Sequence, residues 1–399
     1  MEYYRRNLYI LTFTNFLSAS SWNQIVPFLP QFLRELNVQD GIEGWVGIIF
    51  SLNFVGGIIM QPLWGKISDM TGRKLMIVRA GLCLSFICFG MSFSTSPWQV
   101  AFFRFLNGAL TGFMPGAIAL IATNTPEEFS GRYVAIAQTG GAAGNILGPA
   151  LGGLLSTFMG FRVAMRVSGF VVLIATLLVL FLVKEEKKVE QIEKTSLSQD
   201  FIAAIKMPVL ISVMGTVMLA TTISMSIQPI LTFYLEMLDP SVSKILSGSI
   251  FSLPGLAFVF FAYRWASLGE RISYPKVILI ALVGVSMSTA ALSLSSTVWQ
   301  FVIIYFIVGL FLAALTPCAA TLIATGVDKS FRGRAYGMQQ SASLMGGALA
   351  PTISGLLGSA IGIKHTFLVM GSLVLLATGF LYFQMRTWVD FKTIREPDS

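Results

Sequence analysis

The chain has 399 residues, of which 55% are hydrophobic and only 12% are charged. A soluble globular protein carries about 25% charged residues. Because the mean hydropathy here is +0.75, the composition excludes a soluble fold and indicates an integral membrane protein. The formal net charge is +8, but the basic residues lie in short connections between apolar runs. That distribution argues against nucleic acid as a partner.

Twelve apolar segments alternate with polar connections, and each is close to the roughly 20 residues that a helix needs to cross a bilayer. They lie near 7–33, 44–64, 75–94, 98–123, 133–157, 163–183, 208–234, 244–264, 275–295, 298–324, 333–357 and 365–385. The one long connection is rich in Lys and Glu. The pattern predicts an all-α membrane protein with a six-helix half at 1–183, a cytoplasmic linker at 184–207 and a second six-helix half at 208–399.

The distribution of Lys and Arg predicts the orientation, because cytoplasmic connections carry an excess of these residues. With the N-terminus inside, 21 basic residues fall on the cytoplasmic side and five on the outer side. We therefore expect both termini in the cytoplasm. The same asymmetry predicts a multi-pass protein of a bacterial inner membrane.

The two halves repeat each other at an offset of 201 to 202 residues. The sequence L-I-A-T at Leu120–Thr123 returns at Leu322–Thr325, and Pro27 has its counterpart in Pro229. Such a repeat predicts two parallel six-helix halves related by an axis along the membrane normal.

Neither catalysis nor a metal site is indicated by the residue types within the apolar segments. The three cysteines lie inside segments without metal-ligand spacing, and the chain has a single histidine, His365. An intramembrane enzyme needs a nucleophile with a base, or paired acids. We therefore predict a protein that is not an enzyme and needs no cofactor or metal.

The connection between the second and third segments reads G-K-I-S-D-M-T-G-R-K. We expect a ten-residue polar turn in which the two glycines let the backbone reverse. The stretch resembles the signature loop of the major facilitator superfamily, although Ile67 and Met70 depart from it. The matching residues are Gly65, Asp69, Gly72, Arg73 and Lys74. The resemblance implies the major facilitator fold and a cytoplasmic conformational gate, with Asp69 facing the start of the eleventh segment near 332–334.

The fifth segment contains G-x3-G-P-x2-G-G, formed by Gly144, Gly148, Pro149, Gly152 and Gly153. With Gly140, the glycines spaced by four lie on one helix face, which allows another helix to approach closely in lipid. Pro149 removes a backbone donor and bends the helix. The pattern resembles the antiporter motif of the drug:proton exporters in this superfamily. The resemblance implies export rather than import.

Arg104 is the one charged residue well inside a segment. Burial of its charge is costly, so it should face the interior of the helix bundle, unless it snorkels to the outer interface near Trp98. Together with Gly108 it resembles the family's span-four signature, whose arginine is implicated in proton coupling. Tyr305 takes its place in the second half.

The architecture also predicts which residues line a substrate cavity. The candidates are polar, aromatic or methionine side chains: Asn23, Gln24, Asn53, Phe113, Met114, Met218, Met225, Gln228, Phe251, Phe258, Tyr305, Gln339 and Gln340. Methionine adapts to varied shapes and aromatic rings stack on flat ligands. All nineteen acids lie in connections or at segment ends, so proton antiport follows from the resemblance alone.

The sequence thus resembles the bacterial multidrug and quinolone exporters. The resemblance implies a monomeric secondary transporter in the bilayer that exports amphipathic small molecules by alternating access, driven by the proton gradient. Export of one specific metabolite, or lipid flipping on the same fold, is the alternative. Because no segment has a carboxylate at its middle, we expect neutral, zwitterionic or anionic substrates rather than permanent cations.

Overall fold

The computed structural model describes residues 2–38, 40–186, 207–328 and 331–393. Within these ranges only the backbone is described at Pro62, Gly65, Lys66, Asp69, Glu127, Gly333 and 386–393. Regular structure in the described ranges is helical throughout.

The first half of the chain folds into eight helices and one 3₁₀ turn. They are α1 (Tyr3–Asn23), the 3₁₀ turn Val26–Phe28, α2 (Leu29–Glu35), α3 (Ile42–Thr71), α4 (Arg73–Ser92), α5 (Pro97–Leu110), α6 (Phe113–Asn124), α7 (Glu127–Met159) and α8 (Phe161–Leu182).

The described residues of the second half fold into seven helices and one 3₁₀ turn. They are α9 (Pro208–Leu238), α10 (Lys244–Phe251), α11 (Leu253–Ile272), α12 (Tyr274–Ala291), the 3₁₀ turn Leu292–Leu294, α13 (Val298–Gly326), α14 (Arg332–Ile361) and α15 (Ile363–Thr393).

Eleven helical stretches of the described chain are long and apolar enough to cross a membrane. Two of them contain a break: α5 with α6, and α10 with α11. The first predicted segment is not among the eleven. Its helix carries buried polar residues such as Asn7, Thr14 and Asn15, and it breaks after Asn23 before α2 begins. The predicted count of twelve spans is therefore not confirmed.

The structure corrects the prediction for the stretch 65–74. Gly65 lies inside α3, which continues to Thr71, and α4 begins at Arg73. Gly72 alone interrupts the two helices, with φ of +101°. Positive φ is readily accessible to glycine because it has no β-carbon. The reversal thus needs one glycine rather than a ten-residue loop.

The matching turn of the second half lies between α11 and α12. Ser273 occupies the place of Gly72, 201 positions later, and adopts nearly the same backbone conformation, with φ of +90° and ψ of +142°. The values at Gly72 are +101° and +147°. A residue with a β-carbon is strained in this region. The repeat is therefore present in the backbone even where the glycine is lost.

Capping at α5 and α13 repeats in the same way. The Ser96 hydroxyl accepts a hydrogen bond from the N–H of Gln99 at 3.4 Å, and Thr297 accepts one from Gln300 at 3.3 Å. Both are N-caps that satisfy an otherwise unpaired backbone donor. The two helices consequently begin at equivalent positions.

The helices form two compact units. The first unit contains α1–α8 together with Leu231–Ser252, and the second contains the remainder of α9 with α11–α15. The core of the first unit includes Leu11, Ile77 and Phe113. The first unit therefore combines the N-terminal half with a piece of the C-terminal half. The predicted division at the linker stays a prediction.

Candidate functional site

The glycines of the fifth predicted segment lie on α7 against the backbone of α1. A β-carbon on Gly144 would lie 2.5 Å from the carbonyl oxygen of Phe16, and one on Gly148 would lie 2.8 Å from the carbonyl oxygen of Ser20. The outer two members of the ridge are tighter still. Real β-carbons essentially never approach backbone below 3.0 Å. The ridge therefore permits a close helix contact that alanine would disturb, while its role in transport stays a prediction.

A second face of α7 packs against α10 within the same unit. A β-carbon on Gly153 would lie 2.6 Å from the carbonyl oxygen of Lys244, and Gly248 of α10 approaches the carbonyl of Pro149. Ser252 also donates to the carbonyl of Ile146. The glycine-rich motif of α7 thus lies between α1 and α10.

Pro149 leaves the carbonyl of Asn145 without its helical donor. Close to this point the Asn23 side chain of α1 donates through Nδ2 to Oδ1 of Asn145 at 2.8 Å. Amide groups therefore join α1 and α7 where the predicted bend of α7 lies.

The second unit contains a copy of the ridge on α14. A β-carbon on Gly346 would lie 2.5 Å from the carbonyl oxygen of Met218 on α9. Gly346 and Met218 each follow Gly144 and Phe16 by 202 positions. Both units therefore use the same helix contact at corresponding positions.

Arg104 is buried in α5, with 1% of its surface exposed. Its Cζ atom lies 4.3 Å from the ring centre of Trp22 and 5.5 Å from that of Phe50. Nε and Nη2 have no hydrogen-bond partner. The two ion pairs of the described residues lie elsewhere, at Glu2 and Glu236. Aromatic rings therefore replace a carboxylate beside this cation.

The helices α3 and α5 cross very closely beside this arginine. A β-carbon on Gly108 would overlap the carbonyl oxygen of Asn53. Trp64 extends from α3 and donates to the carbonyl of Ala109 at 2.6 Å. In the second unit Trp265 donates to the carbonyl of Leu310 at 2.8 Å. The crossing fixes the position of Arg104 relative to α3.

Of the five residues predicted to form the cytoplasmic gate, the structure describes Gly72, Arg73 and Lys74 in full and only the backbone of Gly65 and Asp69. The prediction for the Asp69 side chain is therefore untested. The Arg73 side chain donates through Nη1 to Thr123 at 3.0 Å and also to the carbonyl of Ala119. This contact joins the start of α4 to α6.

Sequence reasoning missed the acid that holds the start of α4. The Glu185 carboxylate accepts hydrogen bonds from the N–H of Arg73 at 2.7 Å and from that of Lys74 at 2.9 Å. Its Oε2 also lies against the space where Gly72 lacks a β-carbon. A carboxylate at a helix N-terminus satisfies free donors and interacts favourably with the helix dipole.

The residues beside Glu185 make two further contacts. Asn7 of α1 donates to the carbonyl of Lys184 at 2.6 Å and accepts from its N–H at 3.1 Å. The N–H of Glu186 donates to Asn124 at the end of α6 at 2.8 Å. We call residues 184–186 the clasp, because they join α1, α4 and α6 at one end of the first unit. In the sequence, the only indication of these contacts is an asparagine near the start of α1, Asn7, and another at the end of α6, Asn124.

At the opposite end of the first unit, an ion pair joins the N-terminal half to the segment Leu231–Ser252. Arg34 of α2 pairs with Glu236 of α9 at 2.7 Å, and Gln31 donates to the same carboxylate at 3.4 Å. Thr232 donates to the carbonyl of Pro27 at 2.7 Å. The piece Leu231–Ser252 is thus hydrogen-bonded to the N-terminal half.

The cavity candidates fall in both units. Those of the first unit are Asn23, Gln24, Asn53, Phe113, Met114 and Phe251, and those of the second are Met218, Met225, Gln228, Phe258, Tyr305, Gln339 and Gln340. Phe113 and Tyr305 are only 4% and 3% exposed, and Tyr305 stacks on Phe301. These two side chains pack inside their units rather than on an open surface. Gln24 and Gln339 are buried as well. That the candidates line one cavity stays a prediction.

Comparison with known proteins places these features in a family. The family model of the Major Facilitator Superfamily matches residues 10–248 and 209–397. The multidrug resistance protein MdtG of Proteus mirabilis (strain HI4320) is 32% identical over 98% of this chain and 97% of its own length. MdtG of Salmonella arizonae is 32% identical over 93% of both chains.

Solved structures agree on the fold. The crystal structure of a bacterial homolog of the human lysosomal transporter Spinster superposes with a TM-score of 0.84 at 14% identity, over 98% of both chains. The nucleoside transporter NupG superposes with a TM-score of 0.79 at 16% identity, over 96% of this chain and 99% of its own. At these identities the likeness concerns the fold alone. With eleven candidate spans and bacterial relatives over its full length, the chain belongs to the drug exporters of the Major Facilitator Superfamily, multi-pass proteins of the bacterial inner membrane.

Proposed function

We propose that the protein is a secondary transporter that exports amphipathic small molecules, including drugs, from the bacterial cytoplasm. The observation that carries the proposal is the similarity to multidrug resistance proteins over nearly the whole chain. The glycine ridge supports it, since the motif that resembles the antiporter signature makes close contacts in the structure. The relatives' names provide the substrate class for this proposal.

We place both termini in the cytoplasm, with twelve spans. The bias of Lys and Arg supports this orientation. The first span then comprises α1 and α2, which are together long enough to cross a bilayer although α1 is polar. In this orientation the clasp lies at the cytoplasmic end and the Arg34–Glu236 pair lies at the outer end.

Proton antiport with alternating access is the proposed energy source. Two repeated halves suit rocking of one against the other. Arg104 is the coupling candidate because it is a buried cation without a carboxylate partner. A buried charge of this kind is costly and is typical of functional positions in membrane proteins.

Everted membrane vesicles provide the test. A neutral amphipathic fluorescent dye or a quinolone is added outside vesicles that contain the protein, under an imposed pH gradient. We expect uptake that stops when a protonophore collapses the gradient, and no uptake in vesicles without the protein. A lipid-flip assay on the same vesicles is run beside it. Flipping without drug uptake would contradict the proposal.

A further inference from the structure

Arg104 presents an edge with two free donors. Its Nε and Nη2 atoms are both buried and have no hydrogen-bond partner. Their N–H groups point in the same direction because the guanidinium is planar. This pair of parallel donors matches the two oxygens of a carboxylate, which can accept both bonds at once.

Unpaired donors outnumber unpaired acceptors among the described side chains of α5 and α3. One turn further along α5, Nδ2 of Asn107 is buried without a partner, and the described side chains of α3 offer one buried acceptor without a partner, Oδ1 of Asn53. Asn53 approaches α5 directly, since its carbonyl oxygen is beside Gly108. The α3–α5 crossing therefore has three unpaired donors and one unpaired acceptor. An anionic group would correct that imbalance, whereas a cation would increase it.

Trp22 lies beside the guanidinium of Arg104, with its ring centre 4.3 Å from Cζ. Arg104 is buried, whereas Trp22 is half-buried and belongs to the last turn of α1. The helix breaks directly after it, and Gln24 at the break is held against the glycine ridge of α7. A movement of α1 against the ridge would therefore move the indole ring relative to the guanidinium.

We propose that Arg104 and Asn107 form a binding site for the carboxylate of a transported substrate, with Trp22 as the positioning residue that holds the guanidinium. The inference rests on the proposed export function and names its preferred substrate class, amphiphiles with a carboxylate. The substrate carboxylate binds to Nε and Nη2 while the indole stays beside the guanidinium. Asn107 donates the third hydrogen bond.

The test uses the quinolone norfloxacin and its ethyl ester, which differ in the free carboxylate. Binding to the purified full chain is measured as the shift in melting temperature, and transport as KM in everted vesicles. We expect a larger shift with norfloxacin than with the ester. Arg104→Gln should abolish that difference and raise KM for norfloxacin by about tenfold or more, as expected for loss of charge-assisted hydrogen bonds.

Arg79 offers a matched control. It also lies over a tryptophan ring, Trp64, at 3.4 Å, and has buried unpaired nitrogens, but these are Nε and Nη1 rather than one parallel pair. Arg79→Gln should leave the preference for norfloxacin unchanged. Trp22→Phe should keep the preference and Trp22→Leu should weaken it, because only the former retains an aromatic ring beside the cation.

Three results would overturn the inference. The first is an unchanged preference for norfloxacin in Arg104→Gln. The second is an equal loss of norfloxacin and ester transport in Trp22→Leu, which indicates a structural role. The third is the finding that the wild-type protein exports a neutral dye but neither binds nor exports norfloxacin. In that case the carboxylate site is wrong, while the proposed export function still holds. If Arg104→Gln does not fold, Arg104→Lys decides, since it keeps the charge but lacks the parallel donors and should lose most of the preference.

Discussion

Replacing Gly144 by alanine should force α7 away from α1. The new β-carbon would lie 2.5 Å from the carbonyl oxygen of Phe16, whereas ordinary contacts begin at 3.4 Å, so the backbones must separate by nearly 1 Å. Overpacking of this kind costs about 1–3 kcal/mol. Alanine recovers up to about 1 kcal/mol through its better helix propensity. The middle of the cost range, about 2 kcal/mol, less a gain of about 1 kcal/mol, leaves a net loss of unfolding free energy of about 1 kcal/mol.

Gly131 on the same helix is the matched control. No heavy atom lies within 4 Å of its β-carbon position, so Gly131→Ala should be neutral or slightly stabilising. The assay compares melting temperatures of the purified variants and their drug uptake in everted vesicles. Gly144→Ala should lower both, and Gly346→Ala should do the same through Met218. Equal melting temperatures and uptake for Gly144→Ala and Gly131→Ala would refute the reasoning.

Four further substitutions test other parts of the structure. Glu185→Gln removes the negative charge at the start of α4, so we expect about 0.5–2 kcal/mol of destabilisation and faster trypsin cleavage after Lys184. An unchanged cleavage rate would contradict the role of the clasp. Ser273→Gly relieves backbone strain of about 1–3 kcal/mol and should raise the melting temperature. The gain is partly offset because glycine loses more conformational entropy on folding. Gly72→Ser introduces the same strain and should lower the melting temperature. Trp64→Phe removes the bond to Ala109, should cost about 1 kcal/mol, and is checked by thermal unfolding; no loss would mean that the bond adds nothing.

Much of the helical architecture could be predicted from the sequence because hydropathy and repetition are local or periodic signals. The offset of 201 to 202 residues anticipated that Gly346 would repeat the contact of Gly144. The same signals failed at Gly65, because a polar stretch can remain helical beyond the apolar region. Within 65–74, the helix is interrupted at Gly72, the one residue of this stretch with positive φ.

The contacts around the candidate sites could not be predicted, since they join residues far apart in the chain. Glu185 reaches Arg73 over 112 positions, and Trp22 reaches Arg104 only because α1 and α5 belong to one unit. No periodicity encodes such pairs. The position of Arg104 inside an apolar segment identified it as unusual, but only the fold shows which residues contact it.

The segment Leu231–Ser252 has a consequence for the ancestry of the chain. It belongs to the first unit and covers the face of α7 that contains Gly153, yet it is encoded in the second half of the gene. A six-helix ancestor consisting of one half would have lacked this cover and would have needed a second copy to supply it. Gene fusion of such a pair would have made that exchange permanent. Two separately expressed halves should accordingly be stable only when they are produced together.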